Sequence, residues 1–135
     1  MHVKFAQTTN LPIVINPATW APIPGLVLQL PAASADEDTA TITLNVPNPY
    51  VLGQDFAGFE FGIGIQPAPT PIGPTASFSY ELSDPPSHAR VPTTLVVSIP
   101  LRSTAQTIWP VGRSVRGSTL VIDSPASLSA ILGHS

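Results

Sequence analysis

Cysteine is absent from the 135-residue chain, which excludes disulfide staples, thiolate chemistry and cysteine-ligated metal. Charge is scarce too: 10% of the residues are Asp, Glu, Lys or Arg, against about 25% in an ordinary soluble protein. Five Lys and Arg in total cannot build the clustered cationic face that phosphate recognition needs, so nucleic acid is excluded as a partner. Long apolar runs are missing, and no segment approaches the ~18 residues of a membrane span, so membrane insertion is not expected. The N-terminal stretch holds one Lys, and Pro12 interrupts its apolar run Leu11 to Ile15, so it makes a poor signal peptide. Localisation and export route stay open.

What the chain has in plenty is proline: 17 residues spread from Pro12 to Pro125, each removing a backbone donor and breaking any helix interior. With 43% hydrophobic residues and positive mean hydropathy, disorder is not expected. Short apolar runs bounded by Pro, Gly, Asn and Ser recur throughout, the pattern of an all-β fold in one domain over residues 1–135. Ile42, Leu44 and Val46 alternate with Thr41, Thr43 and Asn45, giving a strand with one buried and one wet face. Phe59, Phe61, Ile63 and Ile65 alternate with Glu60, Gly62 and Gly64, and Phe78, Tyr80 and Leu82 share one phase of a further strand. Residues Thr94 to Leu101 are apolar at nearly every position, which predicts a strand covered on both faces. With Leu26 to Leu30, Leu120 to Asp123, Leu128 to Leu132, and weaker segments at Val3 to Phe5 and Ile13 to Ile15, eight to ten strands are expected. They close best as two packed sheets, a jelly roll or Greek-key sandwich. Apolar residues on both faces of a strand would leave a lone subunit with an exposed apolar patch, which predicts a homo-oligomer.

Chemical motifs are few. No Gly-x-Ser-x-Gly elbow marks a serine hydrolase, and no spacing selects a carboxylate pair from Asp55, Glu60, Glu81, Asp84 and Asp123 for glycoside chemistry. His2, His88 and His134 are far apart, so no histidine metal site is expected. The cluster Asp36-Glu37-Asp38 reads as a solvated acidic turn rather than a calcium site. What remains is a set of Arg, Tyr, Ser and Asp residues near turns, with four of the five bases being Arg between Arg90 and Arg116. A sugar hydroxyl donates to a carboxylate and accepts from a guanidinium, while an aromatic ring covers its C–H patches, so such a set suits carbohydrate.

The segments IPGLVLQL (Ile23 to Leu30), LNVPNPY (Leu44 to Tyr50), SVRGS (Ser114 to Ser118) and IDSPASLSAILG (Ile122 to Gly133) carry a resemblance. Shorter matches lie at Phe78 to Tyr80 and Thr94 to Val97. The chain resembles the tumour-necrosis-factor-like fucose-binding bacterial lectins, the family of the N-terminal domain of Burkholderia lectin C. The resemblance implies a TNF-like jelly-roll homotrimer that takes fucosylated glycans without calcium or other cofactor, in sites between neighbouring subunits, and that is not an enzyme. Carried over by position, one subunit would supply Tyr50, Ser87, His88 and Arg90. Its neighbour would supply Glu60, Ser79, Tyr80 and Arg116, with Asp123 close by. Three positions depart from the family pattern: Glu60 stands for Tyr, His88 for Thr and Ser79 for Thr, which leaves the sugar itself open. The alternatives are a trimeric structural module without sugar binding and a glycoside-acting enzyme.

Overall fold

The computed structural model describes residues 2–54, 56–80 and 89–135, and within them every regular element is a strand. The first sheet runs in the order β1 (His2–Gln7), β12 (Ser127–Gly133), β5 (Thr39–Val46), β9 (Thr93–Pro100). The second runs β3 (Ala21–Pro22), β10 (Gln106–Val115), β7 (Gly58–Ile65), β8 (Ala76–Ser79), with β4 (Leu28–Leu30) also paired to β10. A small third sheet joins β2 (Ile13–Ile15), β11 (Thr119–Ile122) and β6 (Tyr50–Leu52). All pairings are antiparallel. The described residues form twelve strands, against the eight to ten expected.

The core is one apolar cluster drawn from all three sheets. β5 contributes Ile42, Leu44 and Val46, and β12 contributes Leu128, Ala130 and Leu132 from the first sheet. Phe59, Phe61, Ile63 and Ile108 face them from the second, and Ile13, Val51, Leu120 and Ile122 close one side. The alternation read in β5 and β7 is therefore the inward phase. Each fully buried Leu, Ile or Phe removes enough apolar surface to contribute about 1.5–3 kcal/mol. Gly58 is required where it stands. A Cβ there would lie 2.1 Å from the Phe78 carbonyl oxygen and 2.9 Å from the Ser79 Cα, so glycine lets β8 close on β7.

β9 departs from expectation. Thr93, Leu95 and Val97 are buried while Thr94, Val96 and Ser98 are exposed, so within one chain only one face of this strand is covered. The register lines up the uncovered residues of the whole sheet. Val3, Ile131, Thr41 and Ser98 form one row across it, and Phe5, Ser129, Thr43 and Val96 the next. Val3 is 66% exposed, Phe5 61%, Val96 52% and Ile131 47%, and neither row carries a charge.

β10 is the longest strand and has Pro110 and Gly112 inside it. The Pro110 carbonyl accepts from the Ile23 N–H at 2.9 Å, so its backbone polar edge faces the side where β10 changes partner from β4 to β3. A missing N–H at that change of partner leaves no ladder bond broken.

Candidate functional site

Arg90 follows the undescribed segment 81–88 and is drawn onto the turn before β6. The Val91 N–H donates to the Pro49 carbonyl at 3.0 Å, and Arg90 Nη1 donates to the Asn48 carbonyl at 3.0 Å. The guanidinium then forks onto Asp123, Nη1 to Oδ1 at 2.5 Å and Nη2 to Oδ2 at 3.0 Å, with its carbon 4.7 Å from the Tyr50 ring centroid. Planar bidentate pairing of this kind fixes a charge in space as well as in sign. The Asp123 carboxylate raises the Arg90 pKa above its already high ordinary value, so the cation persists at every biological pH. Both side chains remain 36% exposed, leaving the pair open to a ligand.

Tyr80 is the hub beside this pair. Its ring ends a chain of aromatic contacts, Phe59 to Phe61 at 5.0 Å, Phe61 to Phe78 at 6.4 Å and Phe78 to Tyr80 at 6.0 Å between centroids. Its hydroxyl donates to the Ala89 carbonyl and accepts from the Val51 N–H at 3.3 Å. Its own N–H donates to the Ala57 carbonyl at 2.8 Å, which links the Arg90 end to a second cluster.

That cluster surrounds the Phe56 carbonyl. Ser79 Oγ donates to it at 2.9 Å and Arg116 Nη1 at 3.2 Å, while the Arg116 guanidinium stands 5.4 Å from the Phe56 ring centroid. Arg116 sits on the turn between β10 and β11, closed by the Ser118 N–H donating to the Val115 carbonyl at 3.2 Å. Arg116 has φ 53° and Phe56 has φ 61°, and among the described residues these are the two non-glycine positions in the left-handed region. Such backbone costs on the order of 1 kcal/mol or more for a residue with a Cβ. Two strained residues touch each other, and between them they aim a guanidinium.

Glu60 lies on the same outer face as Ser79, one diagonal step along the β7–β8 register, where it meets different partners. It accepts from Arg113 Nε at 2.7 Å and from Thr75 Oγ1 at 3.0 Å, and Arg113 stacks 4.9 Å from the Trp20 ring. Within one chain, then, Tyr50, Tyr80, Arg90 and Asp123 come together and Ser79 joins Arg116. Glu60 stands apart with Arg113. Ser87 and His88 lie outside the described residues. Arg116 precedes β11 and Asp123 follows it, so the two arginine clusters occupy opposite ends of that strand.

Phe56, Asn48, Trp20 and Arg113 were not singled out from sequence. Phe56 and Asn48 act through backbone carbonyls, which carry no residue-type signal. Arg113 and Trp20 are far apart along the chain, and only the β3–β10 pairing brings them together.

No group of three or more metal-ligating side chains comes together among the described residues, and no helix there is long and apolar enough to cross a membrane. No curated protein matches the chain. The family described as Bc2l-C, N-terminal domain, matches residues 5–131, which takes in Tyr50, Tyr80, Arg90, Arg116 and Asp123, and the chain belongs to that family.

Proposed function

We propose that the chain is a lectin domain that captures fucosylated glycans without calcium, at sites shared by neighbouring subunits of a jelly-roll homotrimer. The observation that carries this reading is the strained Arg116–Phe56 contact, because backbone strain held at an exposed turn is retained where it positions a functional group. Membership of a lectin-type family supports carbohydrate as the ligand class. The strand orders, which interleave early and late strands in each sheet, support a jelly roll.

The chemistry follows from the two clusters. Arg90 and Arg116 offer charge-assisted donors to sugar hydroxyls, Asp123 offers an acceptor, and Tyr50 and Tyr80 offer aromatic surface to the C–H side of the ring. The clusters sit at opposite ends of β11, which favours a site completed by a second subunit's copy of one of them. The uncharged rows on the β1–β12–β5–β9 sheet supply the subunit contact. One shallow site binds a single sugar weakly, since few contacts must offset the lost freedom of the ligand. Several sites on one particle restore grip on a glycan-covered surface through effective concentration.

The test is a glycan array followed by calorimetry on the best hit. Fucosides bind the parent protein, free fucose competes, chelators have no effect, and Arg116→Ala loses binding while keeping its oligomeric state. Array binding that excess fucose leaves untouched would refute the sugar assignment. A trimer with no hit at all would leave a purely structural module.

A further inference from the structure

The outer face of the second sheet is covered at one end and open at the other. Opposite Trp109 and Val111 of β10, β7 carries Gly64 and Gly62. The loop between β7 and β8 lies on these glycines: a Cβ at Gly62 would stand 2.6 Å from the Pro71 Cβ, and one at Gly64 3.1 Å from the Ala68 and Thr70 carbonyl oxygens. Trp109 Nε1 fastens the loop by donating to the Ala68 carbonyl at 3.2 Å. Val111 is 0% exposed for this reason, although it shares the outward phase of Arg113. The cover stops one step further on, where Arg113 of β10, Glu60 of β7 and Ser77 of β8 form an open row across the sheet.

In a chain with only five basic and eight acidic residues, an Arg and a Glu stand together on this strand face. Arg113 Nε donates to Glu60 Oε1 at 2.7 Å and the guanidinium lies 4.9 Å from the Trp20 ring centroid, so its position is fixed from two sides. Thr75 Oγ1 holds the other Glu60 oxygen at 3.0 Å. An ion pair at a surface contributes little to stability, so stability alone does not account for so ordered a group. The Arg113 side chain is 48% exposed, and its two Nη groups have no acceptor among the described residues. The pair carries no net charge and offers fixed donors beside a carboxylate, which suits a neutral ring of hydroxyls that both accept and donate. On β8, Ser79 follows Ser77 by two residues, about 6.6 Å at the rise of a strand. Ser79 shares the Phe56 carbonyl with Arg116, so the open row begins where the Arg116 cluster ends.

We propose that the Arg113–Glu60 row is a second subsite of the glycan site and takes the neutral sugar ring adjoining the fucose. The Arg113 Nη groups donate to hydroxyls of that ring, Glu60 accepts from one of them, and the loop at Pro71 bounds the far side. The proposal rests on the fucose reading and adds to it that the ligand is a fucosylated oligosaccharide rather than fucose alone.

Calorimetry on the full chain tests it, with methyl fucoside and the two fucosyllactoses, which carry fucose on the galactose or on the glucose, as probes. At least one of the two trisaccharides binds about tenfold or more tighter than methyl fucoside. Arg113→Ala, at an exposed position, brings that trisaccharide to within about threefold of the fucoside and leaves the fucoside itself unchanged, which also shows that the variant is folded. Arg113→Lys does not restore the gain, because an ammonium lacks the planar fork. Trisaccharides that bind no tighter than methyl fucoside overturn the proposal while leaving the fucose reading in place. So does an Arg113→Ala variant that keeps the gain, or that weakens fucoside and trisaccharide equally. Binding of none of the three probes removes the fucose reading, and this proposal with it.

Discussion

Arg116 does two things that pull against each other. Its φ of 53° is a conformation in which a Cβ is crowded, and its side chain reaches back to the Phe56 carbonyl at 3.2 Å. A glycine would take the backbone without cost but would have nothing to reach with. Arg116→Gly is therefore expected to be more stable than Arg116→Ala by about 1 kcal/mol, since alanine keeps the strain and loses the contact. Urea unfolding midpoints of the two variants measure this. Both variants are expected to lose glycan capture, so the stabler of the two binds no better. Arg90 is a different case, with an ordinary backbone and a guanidinium already committed to Asp123 and Asn48. Its contribution is a fixed position, and lysine, with one point charge on a flexible stem, cannot reproduce the fork.

Strand pairing decides where those side chains stand. β8 carries Ser79 to the Phe56 carbonyl only because Gly58 lets it close on β7, so Gly58→Ala forces backbone against backbone. A loss of about 1–3 kcal/mol is expected, read from the denaturation midpoint, with the Phe78–Tyr80 end of the aromatic chain perturbed first. The chain ends are held by charge instead. The His2 ring, hydrogen-bonded to Glu37 at 2.8 Å, lowers that carboxyl below its ordinary 4.5, and the Ser135 backbone N–H lowers Asp38 below its ordinary 3.8. Because the folded values lie below the unfolded ones, this stabilisation is complete above the unfolded values and is lost as pH falls through the folded ones. Below about pH 4.5, backbone amide signals of β1 and of the residues after β12 should shift together, and Glu37→Gln should remove the β1 part of that transition. The legible strands were those whose alternation was uninterrupted: β5 through Ile42, Leu44 and Val46, and β7 through Phe59, Phe61 and Ile63. β10 was hidden because Pro110 and Gly112 break the local signal, and what permits the proline is a change of partner strand that exists only in the folded sheet. β9 misled for the opposite reason: Val96 reads as core and faces outward. Arg90, Arg116 and Asp123 already stand in the sugar-suited set of polar residues near turns, and the family resemblance adds their division between subunits, whereas the Phe56 carbonyl that joins Ser79 to Arg116 depends on a backbone conformation no composition announces.

For the whole molecule, the scarcity of charge has a definite location. The outward rows of the β1–β12–β5–β9 sheet bring Val3, Phe5, Val96 and Ile131 to a surface otherwise built of Ser and Thr, and its apolar, uncharged character suits the proposed trimer contact. Val96→Arg, which places an unpaired cation on the β9 side of that face, is expected to give monomers in sedimentation velocity without unfolding the sandwich. Such monomers should also fail on the array if the sugar site needs two subunits. A monomer that still binds fucosides at parental affinity would place the whole site within one chain. The same β10 that escaped notice as a strand sets a length. Its ten residues, at about 3.3 Å each, put Gln106 roughly 30 Å from the Arg116 turn. The start of β10 is thus a place where the domain can be tethered with both arginine clusters left uncovered.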